Sequence, residues 1–342
     1  MRLHLIPETP LTGPVWACAE IRLLRPYQHP WMRRHGEVST GSRLPVERVD
    51  AVVVQRGLAP WATLEDAAAL VRDVRRRGLK LIYDLDDDLL SSHPSPAVER
   101  VIAPARPKIR LLLREADAVI VPAVPLADRA RALNPCVFVW PNAIDESLAR
   151  AARPSDAQTG EGADIGYFGT TSHLPDLLAV LECLEMALTG LPARPAMELR
   201  GISDDPRLAG LFAARCDVRL LPVDGDYPSF LAGLQSRAPW KAGLAPLTDT
   251  VFNRSKSDIK FLDYAIAGIA GVYADCPAYA SVLDGQTGLK APLSGFGAAV
   301  RRLLEDHDLR RHVRATARQH VMDHRTLNHC VPALWDILRQ VL

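Results

Sequence analysis

The feature that most constrains this chain is a repeated alternation of short, β-branched apolar runs with segments of helical period. In the first 142 residues the runs are "VDAVVVQR" (49–56), "LKLIYDLD" (79–86), "ADAVIVPA" (116–123) and "CVFVWPN" (136–142). A strand apolar on both faces must be covered on both faces, which is the condition of a parallel sheet with helical crossovers. Between the first two runs, "TLEDAAALVRDVRRRG" offers Thr63 as N-cap, Asp66 three residues on, and Gly78 as a stop. From residue 164 the pattern repeats, with strands expected in "DIGYFGT", "AMELRGI", "DVRLLPV", "AGLAPL" and "IAGVYAD". The fold class read from this grammar is α/β, as two Rossmann-like doubly wound parallel-sheet domains facing a central cleft. In such sheets ligands bind beyond the carboxyl ends of the strands.

At 342 residues the chain suits two domains of roughly 100–200 residues each. The stretch 151–163, rich in turn formers and without periodicity, reads as a linker. The expected division is 1–150 for an N-terminal Rossmann-like domain and 164–324 for a C-terminal Rossmann-like domain. The final helix, 325–342, is expected to pack back on the first domain. With 41 basic and 40 acidic side chains, a net charge of +1 gives no overall field to gather nucleic acid. The six cysteines lie far apart with no metal-ligand spacing, so no metal site and no cofactor is expected from them. No apolar run approaches the roughly 18 residues of a membrane span. The expected address is cytoplasmic, with peripheral contact at the inner face of a membrane left open.

The stretch "VFNRSKSDIKFLDYAIAG" (251–268) starts as a cationic loop and becomes an amphipathic helix ending at Gly268. Ser255 or Ser257 is the expected N-cap, with Ser255 and Asp258 spaced as a capping box. A helix N-terminus carries unpaired N–H groups and a partial positive charge, which suits phosphate. Arg254, Lys256 and Lys260 at that end are unfavourable unless an anion joins them; a solvated surface trio is the plain alternative.

The ordered set "ADAVIVPAVPLADRA", "VWPNAID", "IGYFGTTSHLPDL", "MELRGISDD", "GLAPLTDTVFNRSKSDIKFLDYAIAGIAGVYADCPAYASVLDGQTGLKAP" and "VRRLLEDHDLRRHVRATAR" resembles retaining glycosyltransferases of the GT-B fold, close to glycosyltransferase family 4. That family commonly carries, at the helix matching 258–267, two glutamates separated by seven residues. Here Asp263 takes the place of the second, which the resemblance implies binds the donor ribose, and Ser255 falls at the first. Asn253, Arg254, Lys256 and Lys260 then become the candidates for the sugar and diphosphate. "GYFGTTSH" matches the family's glycine-bearing loop, which implies donor contact by Gly169, Thr170, Thr171 and His173. "PNAID" matches the hinge, with Pro141, Asn142 and Asp145 as structural residues.

Four carboxylates crowd "YDLDDDLL" (83–90), and like charges at a strand end repel unless solvated, capping or met by a cation. By position in the resemblance, Asp86 stands where many members place a histidine beside the reacting carbon. Asp86, Asp87 and Asp88 are expected to face the cleft and to bind the acceptor hydroxyl or remove its proton. Arg56 and Arg22 are further cleft candidates, with surface roles open for Arg22. The resemblance implies a hexosyltransferase-type enzyme, of use in polysaccharide biosynthesis, that takes its nucleotide diphosphate sugar as co-substrate. The acceptor would be a glycan, a lipid-linked molecule or a secondary metabolite. An inactive nucleotide- or glycan-binding scaffold, and a metal-dependent transferase using the "DLDDD" acids, are the alternatives.

Overall fold

A computed structural model describes residues 1–10, 12–93, 95–149, 162–222, 225–236 and 239–342. The expected linker, 151–163, lies outside the described residues over 151–161. The chain divides into two compact units: Met1–Glu146 with Thr250–Ser257 and Arg325–Leu342, and Ser147–Asp249 with Asp258–His324.

The first unit is built on β1 (Arg2–Ile6), β2 (Glu37–Thr40), β3 (Ala51–Gln55), β4 (Lys80–Asp84), β5 (Ala118–Val121) and β6 (Val137–Val139). They form one sheet in the order β2-β1-β3-β4-β5-β6, parallel throughout. The apolar runs of the sequence become β3 to β6. Two strands had no such signal: β1, whose "RLHLI" carries Arg2 and His4, and β2, an edge strand of mostly exposed residues. One sheet face packs Val52, Val54, Leu81 and Tyr83 against helices Leu64–Arg76 and Arg106–Glu115, through Val71, Val74, Ile109 and Leu112. Thr63 and Asp66 cap the first of these helices reciprocally, as the spacing predicts.

The other face, with Leu3, Leu5, Val53 and Ile82, is covered by the helical stretch 17–28 and by the C-terminal helix Leu327–Val341. Leu327, Val331, Leu334 and Leu338 of that helix recur at the spacing of one apolar stripe, and all are buried in this core. Backbone bonds from Ile144 N to Arg325 O and from Leu327 N to Ile144 O, both 2.8 Å, dock the returning chain on the segment after β6. Asp145, in the same segment, accepts from Arg25 Nη1 at 2.6 Å.

Residues 250–257, placed by the sequence in the second domain, belong to the first unit. The Phe252 ring meets the edge of His93 at 4.6 Å, and Asn142 Nδ2 donates to Ser257 Oγ at 2.9 Å. The capping also differs from expectation. The chain is already helical over Val251–Arg254, with Thr250 as its N-cap, so Ser255 ends that turn and bonds back to Val251 O. Asp258 is the N-cap of Ile259–Ala267, and its carboxylate is taken by Ser281 Oγ at 2.6 Å.

The second unit has β7 (Ile165–Phe168), β8 (Ala196–Arg200), β9 (Asp217–Leu221), β10 (Ala242–Ala245), β11 (Gly271–Ala274) and β12 (Leu289–Ala291). Their order is β12-β11-β10-β7-β8-β9, again parallel throughout. Helix Ile259–Ala267 ends at Gly268, which adopts the left-handed φ of 70° that glycine tolerates without strain. Among the described residues no helix is long and apolar enough to cross a membrane.

Gly166, central in β7, lies under the Trp240 indole: a Cβ there would come within 1.7 Å of the ring. Gly166→Ala is therefore expected to lower unfolding stability by about 1–3 kcal/mol, the usual cost of overpacking a core. Urea denaturation checks it; an unchanged midpoint would mean the indole is not seated on β7.

Candidate functional site

Each sheet reverses its direction of winding at one point, between β1 and β3 in the first unit and between β7 and β10 in the second. The carboxyl ends flanking such a point are where doubly wound sheets bind ligands. Arg56 and the loop Gly169–His173 lie just beyond these ends, and Asp86, Asp87 and Asp88 follow the neighbouring β4.

In the first unit Arg56 follows β3 directly and has φ 47°, and Leu58 has φ 69°. Both are left-handed conformations that cost a non-glycine residue of order 1–3 kcal/mol and persist only where the surroundings enforce them. The enforcement is visible. Arg56 N donates to Asp84 O at 3.0 Å, Gly57 N to Glu8 Oε1 at 3.1 Å, and the buried Lys108 Nζ to Ala59 O and Ala62 O at 2.8 and 2.7 Å. The strained turn aims the Arg56 guanidinium at the acids after β4. It grips Asp86 with two bonds of 2.5 and 2.6 Å and stands 3.6 Å from Asp87 and 3.8 Å from Glu8.

Burial alone would raise the Asp86 carboxyl, but the charge and hydrogen bonds of Arg56 outweigh it and hold Asp86 below the usual carboxylate range. Glu8 goes the other way: burial raises it against the pull of Arg56 and the Gly57 N–H. Lys256 Nζ lies 3.5 Å from Asp87 Oδ1 and 4.6 Å over the Phe252 ring. Two cations, Arg56 and Lys256, thus serve three carboxylates, Glu8, Asp86 and Asp87.

Two expectations need correction. Asp88 does not face open space: it is fully buried, its Oδ1 accepts from Leu90 N and Ser91 N, and Arg129 Nε stands 2.7 Å from Oδ2. It fixes the loop after β4. Arg22 is not a surface residue: at 1% exposure it donates to both Asp84 oxygens at 3.3 and 2.7 Å, to Trp140 O at 2.7 Å and to Asn142 Oδ1 at 3.1 Å. All these acceptors sit inside the unit, so Arg22 holds the end of β4 to the segment after β6.

In the second unit Gly169, Thr170, Thr171 and His173 form the loop after β7. The Gly169 N–H is committed to Arg200 O at 3.0 Å, and the Thr170 and Ser172 hydroxyls bond each other at 2.7 Å. His173 Nδ1 meets Asp176 Oδ2 at 3.2 Å, and the other Asp176 oxygen accepts from Thr248 N and Oγ1 at 2.9 and 2.7 Å. Asp176 therefore ties the loop after β7 to the loop after β10. Burial would raise its carboxyl, but the donors His173 and Thr248 prevail and lower it.

Lys260 is buried, its Nζ 5.4 and 5.3 Å over the rings of Tyr167 and Phe168, the last two residues of β7. One turn along the same helix, Asp263 is 2% exposed and accepts from the Tyr227 hydroxyl at 2.7 Å. Burial pushes its carboxyl up to about 7, only partly offset by that hydrogen bond and by Lys260. Asn253 is buried on the turn Val251–Arg254, whereas Arg254 is exposed.

The basic trio of the sequence has three different surroundings: Lys256 pairs with an acid, Lys260 lies on aromatic rings, and Arg254 is exposed. The sequence reading missed Glu8, Lys108, Asp176, Thr248 and Tyr227. Position gives the only advance signal, and only for Asp176, which lies three residues after His173. Among the described residues no group of three or more His, Cys, Asp or Glu side chains is arranged to hold a metal ion. Asp86, Asp87 and Asp88 diverge toward Arg56, Lys256 and Arg129.

No family model matches the sequence, and no curated protein matches it. Solved structures do match. HepE of Anabaena, in complex with UDP-glucose, aligns over 99% of this chain and 100% of its own at 12% identity, with a TM-score of 0.68. AviGT4, a glycosyltransferase involved in avilamycin A biosynthesis, aligns over 100% and 98% at 11% identity, with a TM-score of 0.62. Trehalose-6-phosphate synthase, described as an enzyme of glycosyl transfer with retention, aligns over 86% and 75% at 14% identity, with a TM-score of 0.55. This chain has the GT-B fold.

The raised carboxyl of Asp263 has a consequence for stability. A group protonated more readily when folded than when unfolded stabilises the fold below its unfolded value, here 3.8, and that stabilisation is lost as pH rises through about 7. Asp263→Asn cannot ionise, so its stability relative to the parent should rise by roughly 2–4 kcal/mol from pH 4 to pH 8. Denaturant unfolding at both pH values measures this, and a difference that stays constant with pH would contradict it.

Proposed function

We propose that the protein is a glycosyltransferase that moves a sugar from a nucleotide diphosphate sugar to an acceptor, with retention and without a metal ion. The observation that carries this reading is Asp263. It is a nearly inaccessible carboxyl on the helix that follows β10, held by a single phenol, with Lys260 one turn away at the end of β7. A buried carboxyl with one donor has acceptor capacity left, and adjacent ribose hydroxyls are suited to fill it. HepE's complex with UDP-glucose, on the same fold, supports a donor of this class, and trehalose-6-phosphate synthase supports retention. Placement in family 4 rests on the ordered motifs of the sequence. A hexosyl donor, a glycan, lipid-linked or secondary-metabolite acceptor, and a cytoplasmic role in polysaccharide biosynthesis belong to the same reading.

In this scheme the loop Gly169–His173 and Asn253 contact the donor, while Arg254, Lys256 and Lys260 supply positive charge for the diphosphate. The chemical step needs charge stabilisation more than covalent help, because the leaving group departs with negative charge. Lys256 suits the task, since its 3.5 Å contact with Asp87 is long for an ion pair and can be exchanged. Asp86, held ionised by Arg56, is a weak base and a good hydrogen-bond acceptor. Its role is to orient a hydroxyl or to stabilise positive charge at the sugar carbon, with Asp87 beside it on the acceptor. Absence of a metal requirement is supported by the cations that already meet each of the acids after β4.

The second reading, a binding scaffold without turnover, is favoured by one observation: Ser255, standing where the family has its first glutamate, bonds inward to Val251 O. Calorimetry with a panel of nucleotide sugars, followed by a donor-hydrolysis and transfer assay, separates the two. Binding with turnover that persists in excess chelator is the expected result. Binding without turnover supports the scaffold, and activity abolished by chelator supports the metal-dependent alternative. Lys256→Ala should lower kcat about 100-fold or more, the usual cost of removing one group that stabilises transition-state charge, with the thermal transition preserved. Unchanged kcat would remove Lys256 from the mechanism.

A further inference from the structure

Tyr227 is the first residue of helix Tyr227–Ser236, which follows β9, and it is as deeply buried as the residue it meets, at 5% exposure against 2% for Asp263. Its hydroxyl donates to Asp263 Oδ1 at 2.7 Å, and among the described residues no second side chain or backbone group donates to that carboxyl. The titratable groups facing Asp263 are Tyr227 from the helix after β9, Lys260 and Tyr264 from its own helix, and Tyr273 from β11. Tyr264 is committed elsewhere, since its hydroxyl donates to Leu244 O at 2.7 Å. Lys260 acts through charge, with its ammonium over the β7 rings. The phenol is thus the one hydrogen bond that fixes how the carboxyl is turned.

We infer that Tyr227 is a positioning residue: it holds one oxygen of Asp263 so that the other receives a donor hydroxyl, and donor binding thereby expels the proton of Asp263 into solvent. The inference rests on the reading of Asp263 as a donor-binding carboxyl. The chemistry balances without a further reactant. In the empty protein near neutral pH, the buried carboxyl is protonated in a large fraction of molecules. Sugar hydroxyls that donate to it favour the carboxylate, so the O–H bond of the acid breaks and buffer takes the proton. Removing the phenol withdraws a donor that favours the charged form, which makes the proton harder to expel.

The test is titration calorimetry with UDP-, GDP-, dTDP- and ADP-glucose, whose diester diphosphates do not titrate near neutrality. The binding ligand is then measured in buffers of different ionisation enthalpy, which counts the protons released. The parent protein should release a sizeable fraction of a proton per ligand at pH 6.5 and close to none at pH 9. Tyr227→Phe should bind about tenfold more weakly at pH 6.5 and within twofold of the parent at pH 9, corresponding to a shift of about one pH unit. Asp263→Asn should release no proton at either pH, and it keeps the inference testable if Tyr227→Phe does not fold. Equal weakening of Tyr227→Phe at both pH values, or proton release that survives Asp263→Asn, overturns the inference while leaving the donor reading intact. A parent protein that binds none of the four ligands overturns both.

Discussion

A parallel strand covered by helices on both faces leaves only its ends for polar chemistry. This constraint organises both units. The interiors of β3, β4, β7 and β10 are closed by apolar side chains, and polar groups gather where the strands stop: Glu8 beyond β1, Arg56 beyond β3, Asp84, Asp86, Asp87 and Asp88 at the end of β4, His173 beyond β7 and Thr248 beyond β10. The two sheets reverse at β1/β3 and at β7/β10, so the chemistry gathers at the same topological place in each.

Charge at a buried strand end is costly unless it is matched, and the structure matches it with side chains distant in sequence. Arg22 neutralises Asp84, Arg56 neutralises Asp86, and Arg129 meets Asp88. A pair as deeply buried as Arg22 and Asp84 adds little net stability over an apolar pair. What it gives is fixed geometry, because the same guanidinium also holds Trp140 O and Asn142, and Asn142 in turn holds Ser257. The strained backbone of Arg56 belongs to the same design: local cost is accepted to aim one guanidinium at the acids after β4. Among the described residues Asp263 has only a phenol as hydrogen-bond partner, and burial pushes its carboxyl up to about 7.

Much of the fold was legible because apolar periodicity is a local signal. The runs at 49–56, 79–86, 116–123 and 136–142 became β3 to β6, and Thr63 with Asp66 formed the cap that their spacing implied. β1 was not legible because Arg2 and His4 interrupt its pattern, and β12 is only three residues long. The site was less legible, because sequence shows which residues are charged but not which partners claim them. Nothing in "DLDDD" separates Asp86, partly exposed and gripped by Arg56, from Asp88, fully buried and consumed by the Leu90 and Ser91 amides and Arg129. Likewise, whether 250–257 joins one unit or the other is decided by Phe252 on His93 and Ser257 on Asn142, contacts more than 100 residues apart in the chain. The phenol that holds Asp263 lies 36 residues before it, outside any local motif.

The central claim is that the carboxyl ends of β7 and β10, with Asp263 behind them, bind the nucleotide of a sugar donor. A crystal structure of the protein with the nucleotide sugar that binds it tests this most directly. The account predicts a ribose hydroxyl within hydrogen-bond distance of Asp263 and the diphosphate near the ends of those two strands. A nucleotide bound elsewhere, with Asp263 still closed on Tyr227 alone, would contradict it.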